Sequence, residues 1–407
     1  MAVPTPGRLP VVHQLLPSLR LGDAAGAHTL QVQIALREAG FESELFVEHH
    51  DEVFAGRVHH YSELGAHCSL GRTALLYQLA IGSKIADMLL DRPEPVIVNY
   101  HNLTPAAFFW PWDPGLVEGI VWGHLQLHQL WGRATHAVAV SSFNRIDLDR
   151  AGYLSTAVAP PLVDLAGFEG TADPEALARY RSRPGAQWLF VGRLAPNKAA
   201  QDLVKALAAY RRVYDPEARL VLVGGQGHPV YTDAVRNLIE ALDLVDAVEL
   251  TGGVSHGELA AAYESSDAFV CLSDHEGFCF PLLEAMAHDL PVVAYGSSAI
   301  PETVGTGGVV LAEKSPFTVA AAVHQVLSVP GRREVLAAAG RARLADFELT
   351  RTRARMVEEV RRGLVNAELI PGVPSWTQAA REAKAEAEAA EAAARSARAE
   401  ALALEDR

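Results

Sequence analysis

The sequence predicts an α/β chain made of two parallel-sheet domains, and three observations predict it. Short β-branched runs alternate with helical patterns, the signature of successive βαβ units. Those runs are almost continuously apolar, as strands covered on both faces must be. Between the two series lie the Pro-bearing segments Ala159-Pro-Pro-Leu-Val163 and Arg181-Ser-Arg-Pro-Gly185, which place a boundary near 160 to 185.

Taken in order, His13 to His28 reads as a strand, a loop carrying Gly22, and a helix. Strands follow at Pro95–Tyr100 and Ala137–Ser141. The second half gives Trp188–Val191, Leu220–Gly224, Val248–Leu250, Ala268–Leu272, Pro291–Tyr295 and Val309–Leu311. We therefore expect a Rossmann-like domain over 1–165, completed by a helix within 350–375, facing a second Rossmann-like domain over 170–345 across a cleft. From Thr377 the composition collapses to Ala, Glu, Arg and Lys, which favours a helix over 377–407. No series of large apolar residues specifies a coiled coil there, so a solvated tail and an oligomerisation helix both stay open.

The chain has 407 residues, 49% of them apolar, enough for a sizeable core. Its 35 basic and 49 acidic residues give a net charge of −14, the wrong sign for binding nucleic acid or an anionic membrane by bulk electrostatics. Cys68, Cys271 and Cys279, the three cysteines, form no C-x-x-C pair and suit a reducing cytosol. The apolar stretch Leu9 to Leu16 is too short and too interrupted for an export signal, and Pro95 to Trp112 holds three prolines, so neither reads as a leader or a span. The expectation is a cytoplasmic protein. Trp110, Trp112, Trp122 and Trp131, four of the six tryptophans, leave open a carbohydrate wall, a peripheral contact with the inner face of the membrane, or plain packing.

Two constellations carry chemistry. In the first, Glu276-Gly-Phe-Cys-Phe-Pro-Leu-Leu-Glu284 follows the strand Ala268–Leu272. Pro281 suits the first position of a helix, so Gly277 to Phe280 should form the turn that enters it, with backbone N–H groups and the helix dipole favouring an anion. Glu276 in the loop and Glu284 one turn into the helix can reach different hydroxyls of one ligand; a capping acid plus a surface acid is the plain alternative. In the second, Arg193 leaves the end of a buried strand and Lys198 sits near the start of the next helix; a pair of ordinary surface bases is the plain alternative. Both cations then sit at the carboxyl edge of the sheet, where open α/β folds bind ligands, and two fixed cations can neutralise a diphosphate without a metal.

With Gly192-Arg193 and Lys198, Val223-Gly224-Gly225-x-Gly227, Thr251-Gly252-Gly253-Val254-Ser255-His256-x-Glu258-Leu259, Glu276-x7-Glu284 and Pro301-Glu302, the second half resembles the retaining GT-B glycosyltransferases of family 4, glycosyl transferases group 1. The resemblance implies that Arg193 and Lys198 hold the diphosphate of a nucleotide sugar and that Glu284 accepts hydrogen bonds from its ribose. It further implies that Glu276 contacts the transferred sugar, that backbone groups of Gly277, Phe278 and Cys279 serve sugar and phosphates, and that those of Gly252 and Val254 serve the base. Cys279 departs from the glycine common in the family. The first domain, through His13 to His28 and Tyr100-His101-Asn102-Leu-Thr-Pro105, resembles bacterial mannosyltransferases of polysaccharide assembly more loosely. Gly22-Asp23 there replaces a glycine pair near the donor phosphates, and His101 corresponds to a histidine that contacts the donor sugar. Ser142, Asn144 and Arg145 follow a strand and are candidates for the same cleft.

Asp147-Leu-Asp149 spells a metal–nucleotide motif but falls inside a predicted helix, where i and i+2 diverge, so we decline it. The doublets His49-His50 and His59-His60 lack acidic partners at ligand spacing and read as loops. The expected activity is transfer of a sugar, GDP-mannose favoured and a UDP-sugar next, from a nucleoside diphosphate to a hydroxyl on a glycan, glycolipid or small molecule. Retention, no cofactor and no metal are expected. An inverting enzyme with His13 or His28 as base, a nucleotide-sugar epimerase and a non-catalytic scaffold are the alternatives.

Overall fold

The computed structural model describes residues 9–164 and 171–375. The helix read over 377–407 lies outside them. Among the described residues there are two sheets, each wholly parallel. The first contains β1 (Val11–Leu19), β2 (Leu45–His50), β3 (His59–His60), β4 (Thr73–Leu79), β5 (Val96–Tyr100), β6 (Ala134–Ala139) and β7 (Thr156–Val158), in the order β3-β2-β1-β4-β5-β6-β7. Its helices are α1 (Ala24–Glu38), the single turn α2 (Leu64–His67), α3 (Lys84–Asp91), α4 (Pro114–Leu130) and α5 (Ser142–Arg150). A contiguous core of Leu15, Phe46, Leu75, Tyr77, Val96, Val98 and Ala137 covers one face of the sheet.

The second sheet contains β8 (Gln187–Val191), β9 (Arg219–Val223), β10 (Val248–Gly252), β11 (Ala268–Cys271), β12 (Val292–Tyr295) and β13 (Val309–Leu311), in the order β10-β9-β8-β11-β12-β13. With it run α6 (Pro174–Arg181), α7 (Ala200–Val213), α8 (Pro229–Ala241), α9 (His256–Ser265), α10 (Phe280–Ala287), α11 (Ile300–Val304), α12 (Pro316–Ser328) and α13 (Arg332–Leu344). Each sheet reverses its strand order once, between β1 and β4 and between β8 and β11. Loops at the carboxyl ends of two such strands diverge and leave the crevice in which doubly wound sheets bind ligands.

The described chain divides into two units. One runs to Leu103, then takes Gly119–Ala159 and resumes at Arg353; the other takes Thr104–Glu118 and Pro160–Thr352. Residues 104–118, assigned from sequence to the first domain, thus count with the second, where Trp112 packs edge-on against Tyr231 at 5.2 Å. The chain returns to the first unit through α14 (Leu349–Asn366). There His136 Nε2 on β6 and Glu359 Oε2 on α14 meet at 3.0 Å in a buried hydrogen bond, and the Asn366 side chain donates to the Thr135 carbonyl. The histidine doublets are corrected as well: His49-His50 ends β2 and His59-His60 forms β3, where His59 stacks on Phe46. Buried Leu45, Phe46 and Val47 carry β2, and the backbone ladder from Phe46 and Val47 to His59 and His60 makes β3 a strand although both its residues are histidines.

Candidate active site

Backbone packing shapes the carboxyl edge of the second sheet. The Gly192 N–H donates to the Val223 carbonyl at 2.8 Å, Leu194 N–H to Gly225 at 3.0 Å, and Gly224 N–H to Gly252 at 2.9 Å. The loops leaving β8, β9 and β10 are therefore bonded to one another in series. Gly224 has φ +146°, and a Cβ there would lie 2.1 Å from the Gly192 oxygen, so only glycine fits. This ladder fixes where Arg193 emerges. The Arg193 side chain is exposed and makes no ion pair among the described residues.

Three residues on, Pro196–Lys198 forms a single 3₁₀ turn. Buried Asn197 joins it to the loop after β11: its side-chain NH₂ donates to the His275 carbonyl at 3.0 Å, and its own carbonyl accepts from Asp274 N–H at 2.8 Å. The two loops that flank the strand-order reversal are thereby held together, and Lys198 Nζ meets Glu276 Oε2 at 2.6 Å. Burial would lower the Lys198 pKa, but the Glu276 carboxylate outweighs it and the ammonium is held above its ordinary value. The Glu276 N–H donates to Ser298 Oγ at 2.7 Å, which fixes the carboxylate's backbone. Beside them Lys314 bonds Asp202 at 2.7 Å and Asp274 at 2.6 Å and donates to the Leu272 carbonyl.

Gly277 to Cys279 lead into α10, and here the sequence reading shifts by one. Phe280 opens the helix and Pro281 is its second residue, because Cys279 takes the cap position with φ +73°. Phe278 is buried edge-on against Phe280 and Phe347, and Thr303 Oγ1 donates to its carbonyl at 2.6 Å. Its side chain is core, so ligand contact from this residue falls to its backbone N–H. Glu284 is buried one turn into α10, where Tyr263 of α9 donates to Oε2 at 2.6 Å. Burial raises the Glu284 pKa, and the Tyr263 hydroxyl offsets this only in part. His288 stacks flat on Tyr263 at 5.0 Å. Gly252 ends β10 with φ +73° and open space above it, and Val254 is half-buried just beyond.

In the first unit Gly22 also takes a left-handed φ of +74° with nothing within 4 Å of a notional Cβ. Asp23 caps α1, accepting from Gly26 N–H at 3.0 Å, which gives this residue a local structural task. His101 follows β5 at the end of a buried polar chain. Its Nε2 lies 2.7 Å from Gln78 Oε1, Asn99 Nδ2 donates to the same oxygen at 2.7 Å and lies 2.8 Å from His28 Nε2, and Gln78 Nε2 donates to Gln14. Burial pushes the His101 pKa down to about 4 and lowers those of His28 and His13. His13 lies near the start of β1, far from that strand's carboxyl end, and both ring nitrogens are engaged, Nδ1 by Glu44 N–H and Nε2 by the His67 carbonyl. Ser142 opens α5, capped by Ser141, while Asn144 is fully buried. Arg145 turns to Asp149 at 3.5 Å. Asp147 accepts from the Tyr100 hydroxyl and Asp149 from Thr156 Oγ1, so both acids of the declined motif carry structural bonds.

A pH prediction arises from these histidines. Their pKa values are depressed in the folded state, so the unfolded chain binds more protons below about 6.5. Stability is therefore full at neutral pH and falls as pH drops from 6.5 toward 4, by ~1.4 kcal/mol per pH unit for each fully shifted group. Urea midpoints between pH 7 and 4.5 should show this decline, and His101→Gln should make it shallower. An unchanged slope in that variant would refute the assignment.

Residues 182–343 match the family model described as Glycosyl transferases group 1. The chain is 33% identical over 242 residues to a D-inositol 3-phosphate glycosyltransferase of Kineococcus radiotolerans, covering 54% of each chain. It is 36% identical over 214 residues to a GDP-mannose-dependent alpha-(1-6)-phosphatidylinositol monomannoside mannosyltransferase of Mycobacterium tuberculosis, covering 46% of this chain and 54% of the relative. The chain thus spans about half the length of these curated relatives. Among solved structures, Anabaena HepE in complex with UDP-glucose superposes with a TM-score of 0.68 at 16% identity, over 86% of this chain and all but 1% of that one (99%). Sucrose-phosphate synthase from Thermosynechococcus elongatus gives 0.67 at 19% identity, over 88% and 100%. The fold is GT-B.

Arg193, Lys198, Glu276, Gly277, Cys279 and Glu284 all belong to the family-matched segment, and the structure brings Lys198 and Glu276 into contact. Asn197, Tyr263, Ser298 and Lys314 escaped the sequence reading. Each acts by holding a neighbouring loop or carboxylate, and only Asn197, adjacent to Lys198 in a Pro-Asn-Lys turn, carried a local signal.

Proposed function

We propose that the chain is a retaining glycosyltransferase that moves a sugar from a nucleoside diphosphate sugar to an acceptor hydroxyl, without a metal. The observation that carries this reading is the part-buried Lys198–Glu276 pair at the strand-order reversal of the second sheet, with exposed Arg193 on the same edge and inside the family-matched segment. In this reading Arg193, Lys198 and the N-terminus of α10 stabilise the departing diphosphate. Glu284 accepts from the ribose hydroxyls and Glu276 from the sugar. The anomeric C–O bond to phosphate breaks, the freed phosphate oxygen takes the acceptor's proton, and the acceptor oxygen bonds to the anomeric carbon on the same face. GDP-mannose is the favoured donor, a preference supported by the name of the mycobacterial relative. The reading also places the protein in the cytoplasm, in keeping with its free cysteines; among the described residues no helix is long and apolar enough to cross a membrane.

The test is nucleoside diphosphate release across a panel of GDP- and UDP-sugars, with glycan, glycolipid and inositol phosphate acceptors, followed by NMR of the product's anomeric carbon. Release that depends on an acceptor and yields a retained linkage is expected. Conversion of donor into a new sugar nucleotide, or an inverted product, would replace this reading with an epimerase or an inverting enzyme. Because the cations are side chains, excess chelator should leave turnover undiminished, and a strict dependence on added Mg²⁺ would contradict the assignment.

A further inference from the structure

Cys271 ends β11, Glu276 lies in the loop that follows, and Cys279 caps α10. The loop folds back so that the two Sγ atoms stand 4.0 Å apart, and with a Glu276 carboxylate oxygen they form a triangle of ligand atoms all within 4.8 Å of one another. All three residues are buried. Cys279 is also a non-glycine residue at φ +73°, so a side chain is kept there where the backbone favours glycine.

We propose that this triangle is a binding site for a thiophilic divalent cation, zinc being the representative case. Two thiolates and a carboxylate are a donor set that tetrahedral Zn²⁺ accepts, with one position left open. Zn–S bonds of ~2.3 Å set sulfurs ~3.8 Å apart across a tetrahedron, close to the separation already present, and the longest edge needs to shorten by about 1 Å. Binding releases two thiol protons to solvent. The resulting centre carries one net negative charge, and its counter-ion is in place: Lys198 Nζ, 2.6 Å from Glu276 Oε2. On the functional reading above, a Glu276 carboxylate committed to the ion no longer accepts from the transferred sugar, so the ion inhibits.

The experiment uses the full chain, reduced and freed of metal, titrated with Co²⁺. One equivalent should produce a thiolate-to-cobalt charge-transfer band with tetrahedral d–d absorption, displaced by Zn²⁺. Cys271→Ser should abolish the band, weakening binding by more than the ~10–100-fold that loss of a supporting partner costs. Cys68→Ser should leave it intact, with circular dichroism confirming that both variants fold. No band in the unaltered protein, or a band that survives Cys271→Ser, overturns the site. So does loss of two titratable thiols without metal uptake, since that marks a disulfide. Turnover is a separate arm: Zn²⁺ should inhibit reversibly, and Cys271→Ser should resist it. If the cobalt spectrum appears but Zn²⁺ spares turnover, the inhibitory role falls; if no donor is turned over at all, the functional reading falls and the spectrum still decides the site.

Discussion

Lys198→Ala is expected to lower turnover by at least ~10²-fold, the usual cost of deleting one donor that stabilises developing charge in a preorganised site. The same change also burdens the fold. Glu276 is 7% exposed and loses its ion-pair partner, and stripping one member from a buried pair costs roughly 3–5 kcal/mol. Lys198 itself is 23% exposed, so the low end of that range applies. Two further variants separate chemistry from folding. Arg193 is exposed and unpaired among the described residues, so Arg193→Ala should leave the melting temperature in place while lowering turnover about as much. Lys198→Ala combined with Glu276→Gln removes the stranded charge and should recover stability but not activity. Near-wild-type turnover in both Arg193→Ala and Lys198→Ala would remove the diphosphate role from these residues.

What the sequence disclosed follows from how each feature is encoded. The inner strands β8, β9, β11 and β12 were legible because burial on both faces writes them as nearly unbroken apolar runs, whereas the edge strands β10 and β13 are only part-buried; observed ends differ from the expected ones by at most two residues. In the first sheet β4 went unread: Thr-Ala-Leu-Leu-Tyr-Gln-Leu mixes leucine and glutamine, which suit a helix equally, and only the parallel ladders to β1 and β5 decide for a strand. The same strand hides Gln78, whose polar chain to Asn99, Gln14 and His101 exists only after three strands align. Lys198 and Glu276 were each readable from local spacing, but their contact was not. It depends on Asn197 bonding to a loop 78 positions away through backbone atoms that any sequence would supply. Cys271 and Cys279 show the limit most clearly, since eight positions is no metal-site spacing until a loop turns back on a strand end.

The largest structural effect should come from the smallest substitution. In Gly224→Ala the new methyl would stand 2.1 Å from the Gly192 oxygen and 2.5 Å from its carbonyl carbon, both backbone atoms that cannot rotate aside. The residue would also hold φ +146°, a region costly to side chains. Overpacking at ~1–3 kcal/mol and backbone strain at ~1–3 kcal/mol give a combined loss of about 4 kcal/mol, large against ordinary marginal stability. Gly227→Ala should behave alike, its Cβ falling 1.9 Å from the Leu194 oxygen. Gly225 is the internal control: it sits between them, nothing lies within 4 Å of its Cβ, and Gly225→Ala should change stability by no more than ~0.5 kcal/mol. Because these contacts tie the β9 loop to the backbone on either side of Arg193, any Gly224→Ala protein that does fold must displace that loop, and its donor affinity should fall even where its melting point recovers in stabilising solvent. Equal melting temperatures for Gly224→Ala and Gly225→Ala would mean that the loops leaving β8 and β9 are not stacked backbone to backbone, and the fixed exit of Arg193 would lose its physical basis.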